Sequence, residues 1–483
     1  MSLPPLARCR FAAVMVLSVT LAGCVGMTMT DLFVTYSERM QPVRLQLQLA
    51  HWQEALAQIP DSTPADNNYL LDRLEQGRIA FLSQNWAASQ KALDLAVQQQ
   101  AWLDAQAEYR LSRGLQQAGA LLSNDQAIGY VAPDYEQALL HHYQALNYLF
   151  QNKTQDALVE IRLANQVQEK ALVRRDSELQ QAREEAQAQG LADALALAER
   201  GLPEMTGPEG AFKGKVQSGY TFYLSALLYE ATGGLNDAYV DYRRAFELTP
   251  DSLVLQKDLL RITARMGLQE QHAAYAKQFA MPTSSSTGRA ANAKSGQIVL
   301  LLEQGLLTPM SEFFLPLPIA TSQGEFRTFT LALPWYSGPP AQFLPLGLVV
   351  DGEHQQTHAL MSMHALAAHS LQERLPGVLT RQLLRLAAKE SVRREAAKGG
   401  GDLGNILVGI YNTLSEHADT RAWSTLPQSV GVWRAEVAPG QHALALGSGS
   451  PVQLSVPVTA GQITLVWVQQ QGANVTTVIK PLS

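Results

Sequence analysis

Histidine is the first residue type to test for chemistry, because ten are spread along a chain of 483 residues. His141 and His142 are adjacent, His354, His358, His364 and His369 form a loose cluster, and His417 lies near Asp419. His354 and His358 have the i, i+4 spacing at which one helix holds zinc. The string is HQQTH, however, with Gln355 where the HExxH motif needs its glutamate. The pair also falls in a turn after a strand, ahead of a helix expected from Ala359, so both rings do not share a helix face. No metal and no other cofactor is expected. Nucleophile signals fail as well. There is no G-x-S-x-G elbow, and GSGS at Gly447 to Ser450 reads as a hairpin turn. Glu184 and Glu185 lie in a charged helical pattern, where solvation is their ordinary fate. Gly399, Gly400 and Gly401 lack the Lys-Ser/Thr of a phosphate-binding loop and read as a hinge or turn. An enzyme is not expected.

One residue does sit in a context that specifies a reaction. Arg8 and Arg10 precede the apolar run FAAVMVLSVTLA, which leads to Leu21, Ala22, Gly23 and Cys24. A positive start, a short apolar stretch and small residues before the cut make a secretory signal. The run is shorter than the roughly 20 residues that span a bilayer, so it is expected to be removed. LAGC resembles the bacterial lipobox, in which the cysteine thiol receives diacylglycerol before cleavage. Cys24 is therefore the expected lipidation site, and several acyl chains supply the multiple anchors that stable attachment needs. Val25 and Gly26 follow where an aspartate is the usual inner-membrane retention signal, so the outer membrane, facing the periplasm, is the expected location.

Cys9 and Cys24 are the only cysteines, which leaves the processed chain no disulfide and no cysteine metal site. Processing removes two arginines and no acid, leaving 35 basic against 43 acidic residues, a formal charge of −8. Such a chain has no electrostatic footprint for nucleic acid. Its length calls for two or three units, since cores stop growing at roughly 250 to 300 residues.

From Asp31 to about Gly267 apolar residues recur with helical period. Three segments share one spacing: a small residue, a second small residue twelve later, a large apolar one four later, and alanine three later. They are Gly77, Ser89, Leu93, Ala96; Ala145, Ala157, Ile161, Ala164; and Ala226, Ala238, Tyr242, Ala245. Tyr148 and Tyr229 add an aromatic to the last two, and Pro250 closes the third. The pattern resembles the tetratricopeptide repeat, a helical hairpin of about 34 residues whose small side chains let two helices approach. Small-residue packing also occurs in plain helical bundles. The register breaks at QVQEKALVRRDSELQQAREEAQAQGLADALALAER, read either as a solvated helix or as an arm that touches a partner, followed by GLPEMTGPEG.

Residues 281–297, MPTSSSTGRAANAKSGQ, read as a flexible linker. Beyond it QIVLLLEQG, RTFTLALPWY and FLPLGLVVDG are strand-like. Helical stretches follow at Ala359 to Lys398 and Asn405 to His417, and the tail alternates through VGVWRAEV, HALALG, VQLSVPV, ITLVWVQQ and VTTVIKP. The expected architecture is multidomain: signal peptide 1–23, lipidated tether 24–30, an all-α tetratricopeptide-like domain 31–280, and an α+β domain 298–483 with antiparallel strands ending in a small β-sandwich or sheet.

The most distinctive C-terminal string is SEHADTRAWSTLP. Asp419 and Arg421 read as an ion pair, with Trp423 plugging the core at a corner that ends in Pro427. A binding role is the alternative. Together the lipobox, LLDRLEQGR at Leu70 to Arg78, DYEQALLHHYQALNYL at Asp134 to Leu149, DAYVDYRRAFELTP at Asp237 to Pro250 and ADTRAWSTLP resemble a family of uncharacterised proteobacterial lipoproteins with tetratricopeptide repeats. That resemblance implies location and architecture. In some genomes such proteins are encoded near a lipoprotein activator of penicillin-binding proteins, which implies envelope or peptidoglycan work. The expected function is a membrane-anchored scaffold that binds protein partners. The alternative is an envelope hydrolase or ligand-binding lipoprotein that uses the C-terminal domain.

Overall fold

Small residues at the seams of antiparallel helix pairs shape the first half of the chain. The computed structural model describes residues 34–112, 128–203, 205, 216–281, 295–320, 326–338, 342–398, 417–447 and 452–482. Helices α1 (Tyr36–Arg39), α2 (Gln41–Gln48) and α3 (Trp52–Ala57) lead into α4 (Tyr69–Leu82), which packs on α5 (Trp86–Ser112). Next, α6 (Asp134–Phe150) pairs with α7 (Thr154–Ala188), and α8 (Ala192–Arg200) follows. Then α9 (Gly219–Ala231) pairs with α10 (Leu235–Leu248), and α11 (Leu253–Arg265) with α12 (Gln269–Gln278). The helices approach closely because the seam side chains are small: a Cβ placed on Gly77 would lie 2.4 Å from Leu93 Cδ2. The charged segment is two helices rather than one. It breaks at Gly190, whose φ of 68° lets the Leu191 N–H reach Ala186 O at 2.8 Å, a left-handed cap that suits glycine.

Strands then build two facing sheets and a ribbon. They are β1 (Gly296–Gln304), β2 (Ser311–Ala320), β3 (Phe326–Trp335), β4 (Gly347–Val350), β5 (Glu353–Gln356) and β6 (His358–Ser362). After helix α13 (Met363–Lys398) come β7 (Ser429–Val437), β8 (Gly440–Leu446), β9 (Val452–Val458), β10 (Ile463–Gln471) and β11 (Asn474–Leu482). The larger sheet has the order β11-β10-β1-β7-β6 and the smaller β5-β4-β8-β9, while β2 and β3 form the ribbon.

β1 explains how the layers stack. Ile298, Leu300 and Leu302 face the smaller sheet, packing with Leu348, Leu444 and Val456. Val299 and Leu301 face the helices, alongside Leu465 and Trp467 of β10. A strand buried on both faces reads as a continuous apolar run, which is what IVLLL is.

Four expectations need correction. The strands are not all antiparallel: β1 pairs with β10 in parallel, so the larger sheet is mixed. Gly296 and Gln297 belong to β1 rather than to the linker, because Gln297 is registered between Ile463 and Glu436. The helix drawn from Ala359 begins at Met363, because His358 and Ala359 pair with Val432 and Gly431 of β7. A strand absent from the sequence reading, β2, carries Pro316 and Pro318. In a two-stranded ribbon each strand has a free edge, where a missing N–H costs nothing.

Residues on both sides of 281–297 share one hydrophobic core. Phe81 of α4 stands edge-on to Trp467 of β10, their centroids 5.1 Å apart, and Tyr143 of α6 touches Trp423 at 5.7 Å. Both tryptophans are fully buried. A buried tryptophan withdraws about 200 Å² from water, worth about 5 kcal/mol at about 25 cal/mol/Å², and each of these two rings is buried in the core that helices and strands share.

Candidate functional site

Three buried carboxylates, Glu303, Glu75 and Glu136, join the helix layer to β1 and to the segment before β7, and each accepts from donors across that junction. Glu303 follows Val299 and Leu301 on the helix-facing side of β1. There it receives the Arg78 guanidinium of α4 and hydroxyl donations from Tyr143 at 3.1 Å and Tyr220 at 2.9 Å. Burial alone would lower the Arg78 pKa, but the Glu303 charge outweighs it and holds the guanidinium above its ordinary value. Beside them the His142 ring lies against that of Tyr220, centroids 4.2 Å apart and planes tilted by 49°. Burial, and then the Arg78 charge, push it down to about 3.

Glu75 and Glu136 grip the segment that the sequence singled out. Glu75 accepts from the Ser424 N–H at 2.7 Å and hydroxyl at 2.8 Å, from the Thr425 N–H at 3.2 Å, and from Tyr36 at 3.2 Å. Glu136 accepts from the Trp423 N–H at 3.0 Å, Tyr130 at 2.6 Å and Tyr135 at 3.0 Å. Asp419 receives Arg421 at 2.7 Å, while a second guanidinium nitrogen of Arg421 donates to the Ile128 carbonyl at 3.0 Å. Pro427 is buried. Arg421, Trp423 and Pro427 thus lie inside the molecule, with Asp419 half-buried at its edge, held by the helical layer. The inward helix surface that a repeat scaffold would offer to others is filled in cis.

A second charge network lies where the last hairpins meet β7. Glu230 of α9 accepts from Tyr242 at 2.8 Å, Arg434 at 3.0 Å, Arg265 at 3.2 Å and both terminal nitrogens of Arg261, one of them at 2.8 Å. Asp258 accepts from Tyr223 at 2.9 Å, Arg261 at 3.1 Å and Arg434 at 3.1 Å. Burial pushes Glu230 up, but Arg434 and Arg261 together outweigh it and hold the carboxyl well below its usual range.

Above this network opens a cleft of about 170 Å³. Leu253, Val254 and Lys257 come from the first turns of α11, Gln297 from β1, Gln355 and His358 from β5 and β6, and Glu436 from β7. The His358 imidazole is held below its ordinary pKa by burial and by the Lys257 charge. The Gln297 carbonyl takes the Arg434 Nε–H at 2.9 Å, which turns its amide N–H groups away from the guanidinium. Chemically the cleft presents Lys257, His358 and the Gln297 and Gln355 amides, with the Glu436 carboxylate at its rim, over a floor where three guanidiniums, Arg261, Arg265 and Arg434, face two carboxylates, Glu230 and Asp258.

The other residues singled out in the sequence lie elsewhere. Ser89, Leu93, Ala96, Ala145, Ala157, Ile161, Ala164, Ala226, Ala238, Tyr242 and Ala245 are fully buried in the helix seams. Tyr148 and Tyr229 are half-buried, and Pro250 is exposed. His354 is exposed on β5 and His358 opens β6. His364 is buried near Tyr336, and His141 pairs with Glu160 at 2.7 Å. Among the described residues no group of three or more His, Cys, Asp or Glu side chains could hold a metal ion. No helix there is long and apolar enough to cross a membrane. Cys24, Gly399 to Gly401, the stretch Asn405 to Glu416 and most of GLPEMTGPEG lie outside the described residues.

Reading along the sequence missed the cleft, because its residues come from four separate stretches. One signal was present: Arg434 interrupts VGVWRAEV, and a cation in the middle of a strand demands an internal counter-charge. No known family model matches the chain, and no curated protein is significantly similar to it.

Proposed function

We propose that this chain is a scaffold of the bacterial envelope, held by lipid on Cys24 at the outer membrane and facing the periplasm, where it docks a protein partner. The helical hairpins are read as tetratricopeptide-like. The observation that carries this reading is the repeated seam: Gly77 with Ser89, Ala145 with Ala157, and Ala226 with Ala238 hold the same spacing in three helical hairpins, all of them buried. Because the inward side of the hairpins holds the sheet, the partner meets the outer helix face or the cleft mouth. Near the start of the described residues the Ser37 hydroxyl donates to Met310 O at 2.6 Å, which ties α1 to the connection between β1 and β2. A ligand-binding role for the C-terminal domain is the second reading, and the donor-lined cleft favours it.

Two measurements test the proposal. Cys24→Ala should abolish labelling by radioactive palmitate and shift the protein out of the membrane fraction; unchanged label overturns the anchoring. Photo-crosslinking residues placed at Val159 and Val173, both exposed on α7, and at Lys257 should give a discrete adduct in intact envelopes at one of these sites. A ladder identical to that of an unrelated periplasmic protein overturns the scaffold.

A further inference from the structure

The cleft beside α11 has donors and lacks their acceptor. Three guanidinium groups, Arg261, Arg265 and Arg434, are spent on Glu230 and Asp258. The Lys257 ammonium, the His358 ring and the outward N–H groups of Gln297 have no hydrogen-bond or ion-pair partner among the described residues. Glu436, the acid at the rim, accepts from the Ser295 hydroxyl and keeps its charge, which offsets the one by which three guanidiniums exceed two carboxylates and leaves Lys257 over. What the cleft asks for is an oxygen anion.

Charge and size narrow the class. A phosphate carries up to two negative charges and is best held by the fork of an arginine, whereas here the forks are occupied and one free cation remains. That matches a single carboxylate. Pockets for whole small ligands run to about 300–1,000 Å³. At about 170 Å³ this one takes an end group. Lys257, Gln355 and Glu436 are exposed at the rim, so the rest of a ligand has a way out, while Leu253 and Val254 supply an aliphatic wall for a short side chain.

We infer that the cleft binds the carboxyl terminus of a peptide or protein, with the carboxylate between Lys257 and the Gln297 amide and the last side chain against Leu253 and Val254. This rests on the scaffold reading only in making the ligand a polypeptide.

The test uses the processed full-length chain and the dipeptide N-acetyl-Ala-Ala as free acid, as amide, and in competition with acetate and inorganic phosphate. Calorimetry near neutral pH should show the acid binding at least about tenfold more tightly than the amide, a factor that corresponds to about 1.4 kcal/mol. Lys257→Met should weaken the acid by a similar factor. Gln297→Glu keeps an acceptor for Arg434 but sets a carboxylate against the ligand, so it should abolish binding with the melting temperature unchanged. Equal binding of acid and amide, no binding of the acid, or full affinity in Lys257→Met overturns the inference. Tighter binding of phosphate, or acetate equal to the dipeptide, overturns it too. Dipeptide binding without any envelope crosslink would leave the cleft standing and remove the scaffold; crosslinks elsewhere without dipeptide binding would do the reverse.

Discussion

Arg78 and Glu303 lie 225 residues apart in the chain, and their side chains meet as a fully buried ion pair between α4 and β1. Leaving one such charge without the other costs about 3–5 kcal/mol, whereas replacing both with apolar groups is often neutral. Arg78→Met and Glu303→Leu should therefore each destabilise strongly in denaturant melts, and the double variant should lose far less than the sum. Single losses below about 1 kcal/mol would place the pair in water.

The shared core bears on the segment between residues 282 and 294. A protease site inserted there should be cut without dissociating the molecule, and the two pieces should co-elute on size exclusion and melt as one. Separate elution of two folded pieces would mean that the contacts of Phe81 with Trp467 and of Tyr143 with Trp423 are dispensable.

Helix seams tolerate little added volume. Gly77→Ala drives a methyl group towards Leu93, and Ala238→Leu overfills a fully buried site; each should cost about 1–3 kcal/mol. Val173→Leu, at a position 79% exposed on α7, should stay within about 0.5 kcal/mol. Equal effects at all three positions would refute close packing at the seams.

Glu136 gives the fold a pH dependence with a definite sign. Burial raises its pKa from the ordinary 4.5 to about 7, against the pull of the Tyr130, Trp423 and Tyr135 donors. The folded chain keeps a proton that the unfolded chain releases. Its stabilising contribution is complete below pH 4.5 and is lost as pH rises through 7, on the order of 3 kcal/mol in total. Relative to Glu136→Gln, the native protein should lose stability across that window in urea melts taken at stepped pH. Parallel curves for the two proteins would sink the assignment.

The sequence disclosed elements wherever local period and punctuation decide them. The seams at Gly77, Ala157 and Ala238 stand in helical hairpins, and the five tail strands fall where alternation put them. What escaped depends on distant partners. Gln297 looks like the end of a polar linker until Ile463 and Glu436 flank it, and Ala359 looks helical until Gly431 pairs with it. Pro316 and Pro318 hide a strand that needs a ribbon edge. The cleft was least legible, since Lys257, Gln297, His358 and Glu436 share no period or motif, only a junction.

The place of β1 in the larger sheet also sets a timetable. Its parallel neighbour β10 lies 166 residues further along at matched positions such as Gln304 and Gln470, so the sheet cannot close over the helices until that late strand has arrived. Pairings of such long range are slow, because loop closure precedes any reward from the contact. Hairpins made early must wait with Glu75, Glu136 and Arg78 still hydrated. The helical layer is thus synthesised first but completed last, and the chain is most open to aggregation and proteolysis in the interval between.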